Sequence, residues 1–215
     1  MKYKHIIWDW NGTLLDDRWL CVEGINNSLK KRSLDTITEE IYRKVFSFPV
    51  KDYYERLGFD FKKEPFEVAG DEFVEYYGKS FHKVKLHDQV DSVLESISNA
   101  GLSQSILSAG KKDYLYEWVE FHGLSDYFTM IRGIDNQYAT GKVELGLSFI
   151  NELSFLKNNV VMVGDTVHDS DVADAMGIDC LLINHGHMET KKLKATGCKV
   201  FSNLGQVRDY LISSI

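Results

Sequence analysis

The chain of 215 residues is short of several things, and each shortage excludes something. It has three cysteines, Cys21, Cys180 and Cys198, an odd number, widely spaced and without a CxxC pair. That is neither a disulfide framework nor a zinc site, and it fits a reducing cytoplasm. No stretch is long and apolar enough to cross a bilayer, and the brief apolar run before Asp9 does not read as a signal peptide. A basic excess is missing too. The formal net charge of -7 argues against nucleic acid or an anionic membrane as a partner. Internal repeats, low-complexity tracts and long linkers are also absent. What is left, 44% hydrophobic and 27% charged residues, is ordinary for a soluble globular protein, expected here in the cytoplasm. The length allows one large domain, or a domain with an insert.

The most informative stretch comes first: His5-Ile6-Ile7-Trp8-Asp9-Trp10-Asn11-Gly12-Thr13. A short apolar run ends in an acid and meets a glycine soon after, which reads as a buried strand turning sharply at its C-terminal end. In an open parallel sheet that edge is where ligands bind. A carboxylate there is costly unless a metal or a hydrogen-bond donor meets it. Helix capping explains such an acid equally well in isolation.

After Asp17 the pattern is helical only. Trp19, Leu20, Val22, Ile25 and Leu29 recur at helical spacing, and Thr38-Glu39-Glu40 opens a second piece running through Phe46. Pro49 and Pro65, the only prolines, punctuate this region. Glu64-Pro65 begins a third helix, with a stripe from Phe66 through Phe73, Tyr77 and Phe81 to Val84. An aromatic stripe at this spacing is core between helices. From about Lys85 strands alternate with helices: Ser105–Ser108 followed by a turn at Ala109-Gly110, then Phe128–Ile131, Val160–Val163, Cys180–Ile183 and Lys199–Phe201. The expected fold is therefore α/β, a doubly wound parallel sheet with an inserted all-α block. Residues 1–16 and 85–215 form the core and 17–84 the insert.

Three strands end in polar residues, Asp9, Ser108 and Asp165, and in a parallel sheet these ends converge. Asp165 and the acids after it, Asp169 and Asp171, suit a hard cation such as Mg²⁺, which takes a few carboxylates, waters and a substrate phosphate. The pull of a helix N-terminus on acids explains Asp169 or Asp171, but not Asp165.

In this arrangement the chain resembles the haloacid dehalogenase superfamily of hydrolases, in its phosphoglycolate phosphatase-like branch with a helical cap after the first strand. Asp9-Trp10-Asn11-Gly12-Thr13 resembles the first motif, Ser108 the second, Lys142 in Thr140-Gly141-Lys142 the third, and Gly164-Asp165 through Asp169 the fourth. The resemblance implies a Rossmann-like core and an Mg²⁺-dependent phosphatase in which Asp9 attacks phosphorus and carries an aspartyl-phosphate that water hydrolyses. It further implies that Lys142 neutralises charge, and that Ser108, Ala109, Gly12 and Thr13 bind the phosphoryl group. Asp9, the Asn11 carbonyl, Asp165 and Asp169 would hold the metal, Asp169 directly or through water. The partner implied is a small phosphorylated metabolite: phosphoglycolate, a sugar phosphate or a nucleotide. The sequence does not specify an oligomeric state.

One position departs from the pattern. Family phosphatases carry an acid/base Asp two residues after the nucleophile, where this chain has Asn11, which cannot shuttle a proton. Losing a general acid–base costs about 10²–10⁴ in rate, so the enzyme would be slowed, not silenced. Three explanations follow: substrates with good leaving groups, a substitute among His168, His185 and His187, or deamidation at Asn11-Gly12. A phosphate-binding regulatory module with little turnover is the alternative from another class. A phosphonate hydrolase or phosphomutase is a further one; a hydrolase of that kind would use a cap lysine among Lys30, Lys44, Lys51 and Lys79. Arg18, Arg43 and Arg56 are candidate anchors for a second anionic group on the substrate.

Overall fold

The computed structural model describes residues 2–134 and 141–213. In chain order the strands are β1 (His5–Trp8), β2 (Leu15–Asp16), β3 (Lys85–Leu86), β4 (Ser103–Lys111), β5 (Met130–Ile134), β6 (Val160–Gly164), β7 (Asp179–Ile183) and β8 (Lys199–Phe201). The helices are α1 (Arg18–Lys31), α2 (Glu39–Val45), α3 (Val50–Arg56), α4 (Phe66–Ser80), α5 (Val90–Asn99), α6 (Lys112–Phe121), α7 (Lys142–Glu152), α8 (Val167–Met176), α9 (Thr190–Ala195) and α10 (Leu204–Ser213).

Six strands form one parallel sheet in the order β5-β4-β1-β6-β7-β8. β1 lies inside it, with His5 opposite Ser103 on one side and Val160 on the other. Its side chains alternate between the two faces. Ile6 and Trp8 join the larger core cluster, while Ile7 packs with Leu107, Phe149, Met162 and Met176 across the sheet. A strand buried on both sides must be apolar throughout, as His5–Trp8 nearly is. The exception, His5, hydrogen-bonds Ser105.

Between β2 and β3 the described chain is helical, α1 to α4 and a 3₁₀ turn at Phe81–Lys83. β2 and β3 pair antiparallel, Leu15 with Leu86 and Asp16 with Lys85, where the helical segment leaves and rejoins the sheet. Two-residue strands carry no readable periodicity, and the sequence pattern does not announce them. The short α3 and α9 are likewise absent from it. One expectation is corrected: Ala109-Gly110 is not a turn but part of β4, which runs to Lys111. Its register against β5 shifts between Leu107 and Lys111, a bulge that bends the strand where a turn was anticipated. Lys142 opens α7 directly behind Gly141, whose φ of 96° is a left-handed conformation suited to glycine. Thr140, quoted with that motif, lies outside the described residues.

Candidate active site

Asp9 follows β1 and Asp165 follows β6, so the two acids stand side by side at the C-terminal edge of the sheet. α8 brings Asp169 to them. Carboxylate oxygens of Asp9, Asp165 and Asp169 lie within 4.8 Å of one another, and all three residues are buried. Lys142 reaches the same point from the start of α7, its Nζ 2.5 Å from Asp9 Oδ1 and 2.6 Å from Asp169 Oδ1. The other oxygen of Asp169 accepts from the N–H and hydroxyl of Thr166, at 3.0 and 2.8 Å, and so closes the first turn of α8. Ser108, in β4, accepts the Gly110 N–H on its Oγ at 3.0 Å, which leaves its own proton to donate.

Gly12 and Thr13, expected to bind the phosphoryl group, make hydrogen bonds within the protein. The Gly12 N–H is shared between the Leu15 carbonyl and Asp17 Oδ1, both at 2.9 Å. The Thr13 hydroxyl donates to Asp165 Oδ1 at 3.1 Å, and its N–H points to the Trp10 carbonyl. The loop turns too tightly to leave those donors free. Gly12 has φ 74°, and a Cβ there would overlap Asp165 and His187.

Around this loop lies a set of residues of which sequence reasoning singled out only His168, His185 and His187; Asp17, Tyr77, Tyr42 and His87 carried no such signal. Asp17 is fully buried and accepts from Gly12 N, Asn11 Nδ2 (2.8 Å), Tyr77 Oη (2.7 Å), His187 Nε2 (3.1 Å) and, weakly, Cys21 Sγ (3.7 Å). Burial alone would raise its pKa; His187 and these donors outweigh that and hold it at about 2. His187 shows the converse: burial opposes its charge, but Asp17 and Asp165 raise it to about 9, so the ring donates from both nitrogens, Nδ1 to Tyr42 Oη at 2.9 Å. His87 and His185 stack at 3.7 Å and donate from Nε2 to the carbonyls of Gly12 and Thr13, each at 3.1 Å. Burial lowers both to about 4, so they brace the loop as neutral rings. His168, its pKa lowered by burial, stacks on Phe48 at 4.6 Å.

The donor set fits a hard divalent cation. Four buried carboxyl groups, Asp9, Asp17, Asp165 and Asp169, accompany two buried cations, Lys142 and His187, so that full ionisation of the acids would leave an excess of two negative charges. Burial pushes the Asp9 and Asp165 carboxyls upward, with Lys142 and His187 respectively opposing it. A bound dication would relieve that excess, and oxygen donors are what Mg²⁺ takes. Gly164 and Gly186 make the room: a Cβ at either would overlap Asp169 or Asp165 respectively.

A cavity of about 200 Å³ opens from these acids into the helical segment. Asp9, Asn11, Ser108, Ala109 and Lys142 line its core side, and the opposite wall is mainly aromatic. Arg18, Arg43 and Arg56 do not line it. Arg18 bonds Glu39 and the carbonyls of His185 and Gly186, Arg43 the carbonyls of Asn184 and Met188, and Arg56 the Val45 carbonyl and Ser47.

Known proteins resemble this chain in sequence and in fold. Pyrophosphatase PpaX of Oceanobacillus iheyensis is 23% identical over 203 residues, spanning 91% of this chain and 90% of that protein. Tyrosine-protein kinase PtkA of Mycobacterium tuberculosis is 22% identical over 203 residues, spanning 94% of this chain and 69% of the kinase. A predicted phosphatase from Clostridium acetobutylicum shares the fold at a TM-score of 0.85, with 19% identity, over 99% of this chain and all of that one. The family model described as haloacid dehalogenase-like hydrolase matches residues 6–183, most of the chain and all the acids above. The chain belongs to the haloacid dehalogenase-like hydrolase family.

Proposed function

We propose that the chain is a magnesium-dependent phosphatase of a small phosphorylated metabolite, working through an aspartyl-phosphate on Asp9, with residues 17–84 as its cap over a core of 1–16 and 85–215. The observation that carries this reading is the Asp9 carboxylate, buried at the sheet edge, paired with Lys142 Nζ at 2.5 Å and grouped with Asp165 and Asp169. Burial and the neighbouring acids favour the protonated form of Asp9; Lys142 opposes them, and a cation held by the three acids would complete the shift to the anion that can bond to phosphorus. In the same reading Asp9, Asp165, the Asn11 carbonyl and Asp169 hold Mg²⁺. Bound there, the cation supplies charge neutralisation on the phosphoryl oxygens.

The remaining roles fall to side chains. Ser108 offers its hydroxyl proton to a phosphoryl oxygen, together with the Ala109 N–H. Asp169, gripped by Thr166 and Lys142, holds the lysine in place. The Nδ2 of Asn11 is committed to Asp17 and to Tyr77 Oη (2.9 Å), which leaves its Oδ1 as an acceptor able to orient a water but not to deprotonate it. His187 does not replace the missing acid, because it is buried and ion-paired to Asp17. The names of the relatives, a pyrophosphatase and a tyrosine kinase, both concern phosphoryl groups. The phosphonate hydrolase reading has less support, since Lys30, Lys44, Lys51 and Lys79 are exposed and none lines the cavity.

The test is phosphate release from a panel of phosphoglycolate, sugar phosphates and nucleotides with Mg²⁺, by the wild type and Asp9→Asn. Turnover that falls by roughly 10³-fold or more in the variant is expected. A wild type that binds phosphate yet releases none from any ester tried would make the chain a phosphate-binding module.

A further inference from the structure

We propose that the alcohol part of the substrate is an uncharged aromatic ring: the site takes a phosphate monoester of a phenol. This rests on the phosphatase reading above and narrows it. The cavity lining includes six aromatic rings, those of Phe46, Tyr53, Phe66, Phe73, Tyr77 and Trp118, among others. A dry apolar cavity of roughly 150 Å³ admits benzene. The space here, about 200 Å³, is enough for one ring with its phosphoryl group.

Charge points the same way. A second carboxylate or phosphate on the substrate would need a partner, and a sugar would leave hydroxyls against aromatic faces. The four cap arginines, Arg18, Arg32, Arg43 and Arg56, are committed to carbonyls and to other side chains, and none lines the cavity. Lys142 is held between Asp9 and Asp169, His187 is paired with Asp17, and Lys111, the other lysine on the lining, belongs to β4 and lies over the Tyr114 ring at 5.3 Å. Two lining residues each carry a buried polar atom without a hydrogen-bond partner among the described residues, the Tyr53 hydroxyl and the Trp118 indole N–H.

The chemistry at Asn11 agrees. A phenolic oxygen, with a pKa of about 10, leaves as an anion far more readily than an alkoxide, whose pKa is near that of water, about 15.7. Asp9 bonds to phosphorus while the P–O(aryl) bond breaks and its electron pair departs on the phenolic oxygen, which takes a proton from solvent. Water then attacks the aspartyl-phosphate at phosphorus, returning the Asp9 carboxylate and inorganic phosphate, with the surplus proton released to solvent. Neither departure requires a carboxylic acid at position 11.

Two measurements test this on the full chain with Mg²⁺. Calorimetric titration with phenylphosphonate, methylphosphonate and phosphonoacetate reads ring preference without turnover. Phenylphosphonate is expected to bind roughly 10–100-fold more tightly than either of the others. Equal binding, or tighter binding of phosphonoacetate, overturns the proposal. Steady-state assays with acetyl phosphate, phenyl phosphate, benzyl phosphate and phosphoglycolate read the chemistry. The expected order of kcat/KM places phenyl phosphate first among the three esters, about 10²-fold above phosphoglycolate. Phosphoglycolate in first place overturns the proposal. If acetyl phosphate is cleaved and phenyl phosphate is not, the aromatic assignment fails while the phosphatase reading stands. If nothing is cleaved, the phosphatase reading fails, and with it the proposal.

Discussion

Asn11 is oriented by Asp17, six residues along the chain, whose Oδ2 accepts its Nδ2 at 2.8 Å. A carboxylate can only accept, so the amide has one allowed orientation, with nitrogen toward Asp17. The Gly12 nitrogen, which would have to attack the Asn11 side chain during deamidation, is engaged by Asp17 and the Leu15 carbonyl, and that explanation for the missing acid loses its geometry. Asn11→Asp does not simply restore a family acid. It sets a carboxyl against Asp17 at hydrogen-bond distance, and the two must share a proton, so the pair titrates with one strongly raised value. The pH profile of kcat for Asn11→Asp should show an ionisation absent from the wild type. Below it, benzyl phosphate hydrolysis should gain up to about 10²-fold and phenyl phosphate less. Identical profiles would show that position 11 does not meet the leaving group.

Elements meet at the sheet edge through glycines that leave space for acids. The loop after β7 passes over Asp165, whose Oδ2 accepts the His187 N–H at 2.6 Å, and Gly186 sits where a Cβ would collide with the same carboxyl. Gly186→Ala should displace Asp165 while leaving the strands intact. With Mg²⁺ at 100 times its Kd the wild type should gain about 2.7 kcal/mol of unfolding free energy. In Gly186→Ala and Asp165→Asn most of that gain should vanish, measured as the Mg²⁺-dependent shift in Tm. An undiminished shift would place the ion elsewhere. At this scale the sequence was largely legible. The six sheet strands follow from apolar runs of strand length, and α1, α2 and α4 from helical spacing with a cap at Thr38 and a start after Pro65. What stayed illegible was short or bent: β2, β3, α3, α9 and the bulge in β4, where too few residues repeat to make a pattern.

For the whole molecule, buried histidines set the response to pH. Burial lowers His5, His87 and His185 to about 4 each, against about 6.5 in an unfolded chain. Between those values the unfolded chain binds protons that the folded one refuses, so stability falls as pH falls, by of order 1–3 kcal/mol per histidine. His187 behaves oppositely. Raised to about 9 by Asp17, its contribution is complete below pH 6.5 and is lost as pH rises through 9. The urea midpoint should therefore peak near pH 6.5 and decline on both sides. A midpoint unchanged from pH 6.5 to 4.5 would show that these rings protonate without unfolding.

The order of the six sheet strands, and the sheet edge at which Asp9, Ser108 and Asp165 stand, were determined by the sequence alone, while Lys142 came to that edge only through the family resemblance. Apolar runs and the polar residues that close them are local patterns, and a parallel sheet places every strand end on one side. Only the tertiary structure decided that Gly12 and Thr13 face inward, that the arginines bind carbonyls, and that Asp17 links Asn11, Tyr77 and His187. Those side chains lie far apart in the chain and meet only when the helical segment folds over the sheet. The same closure lines the cavity with aromatic rings.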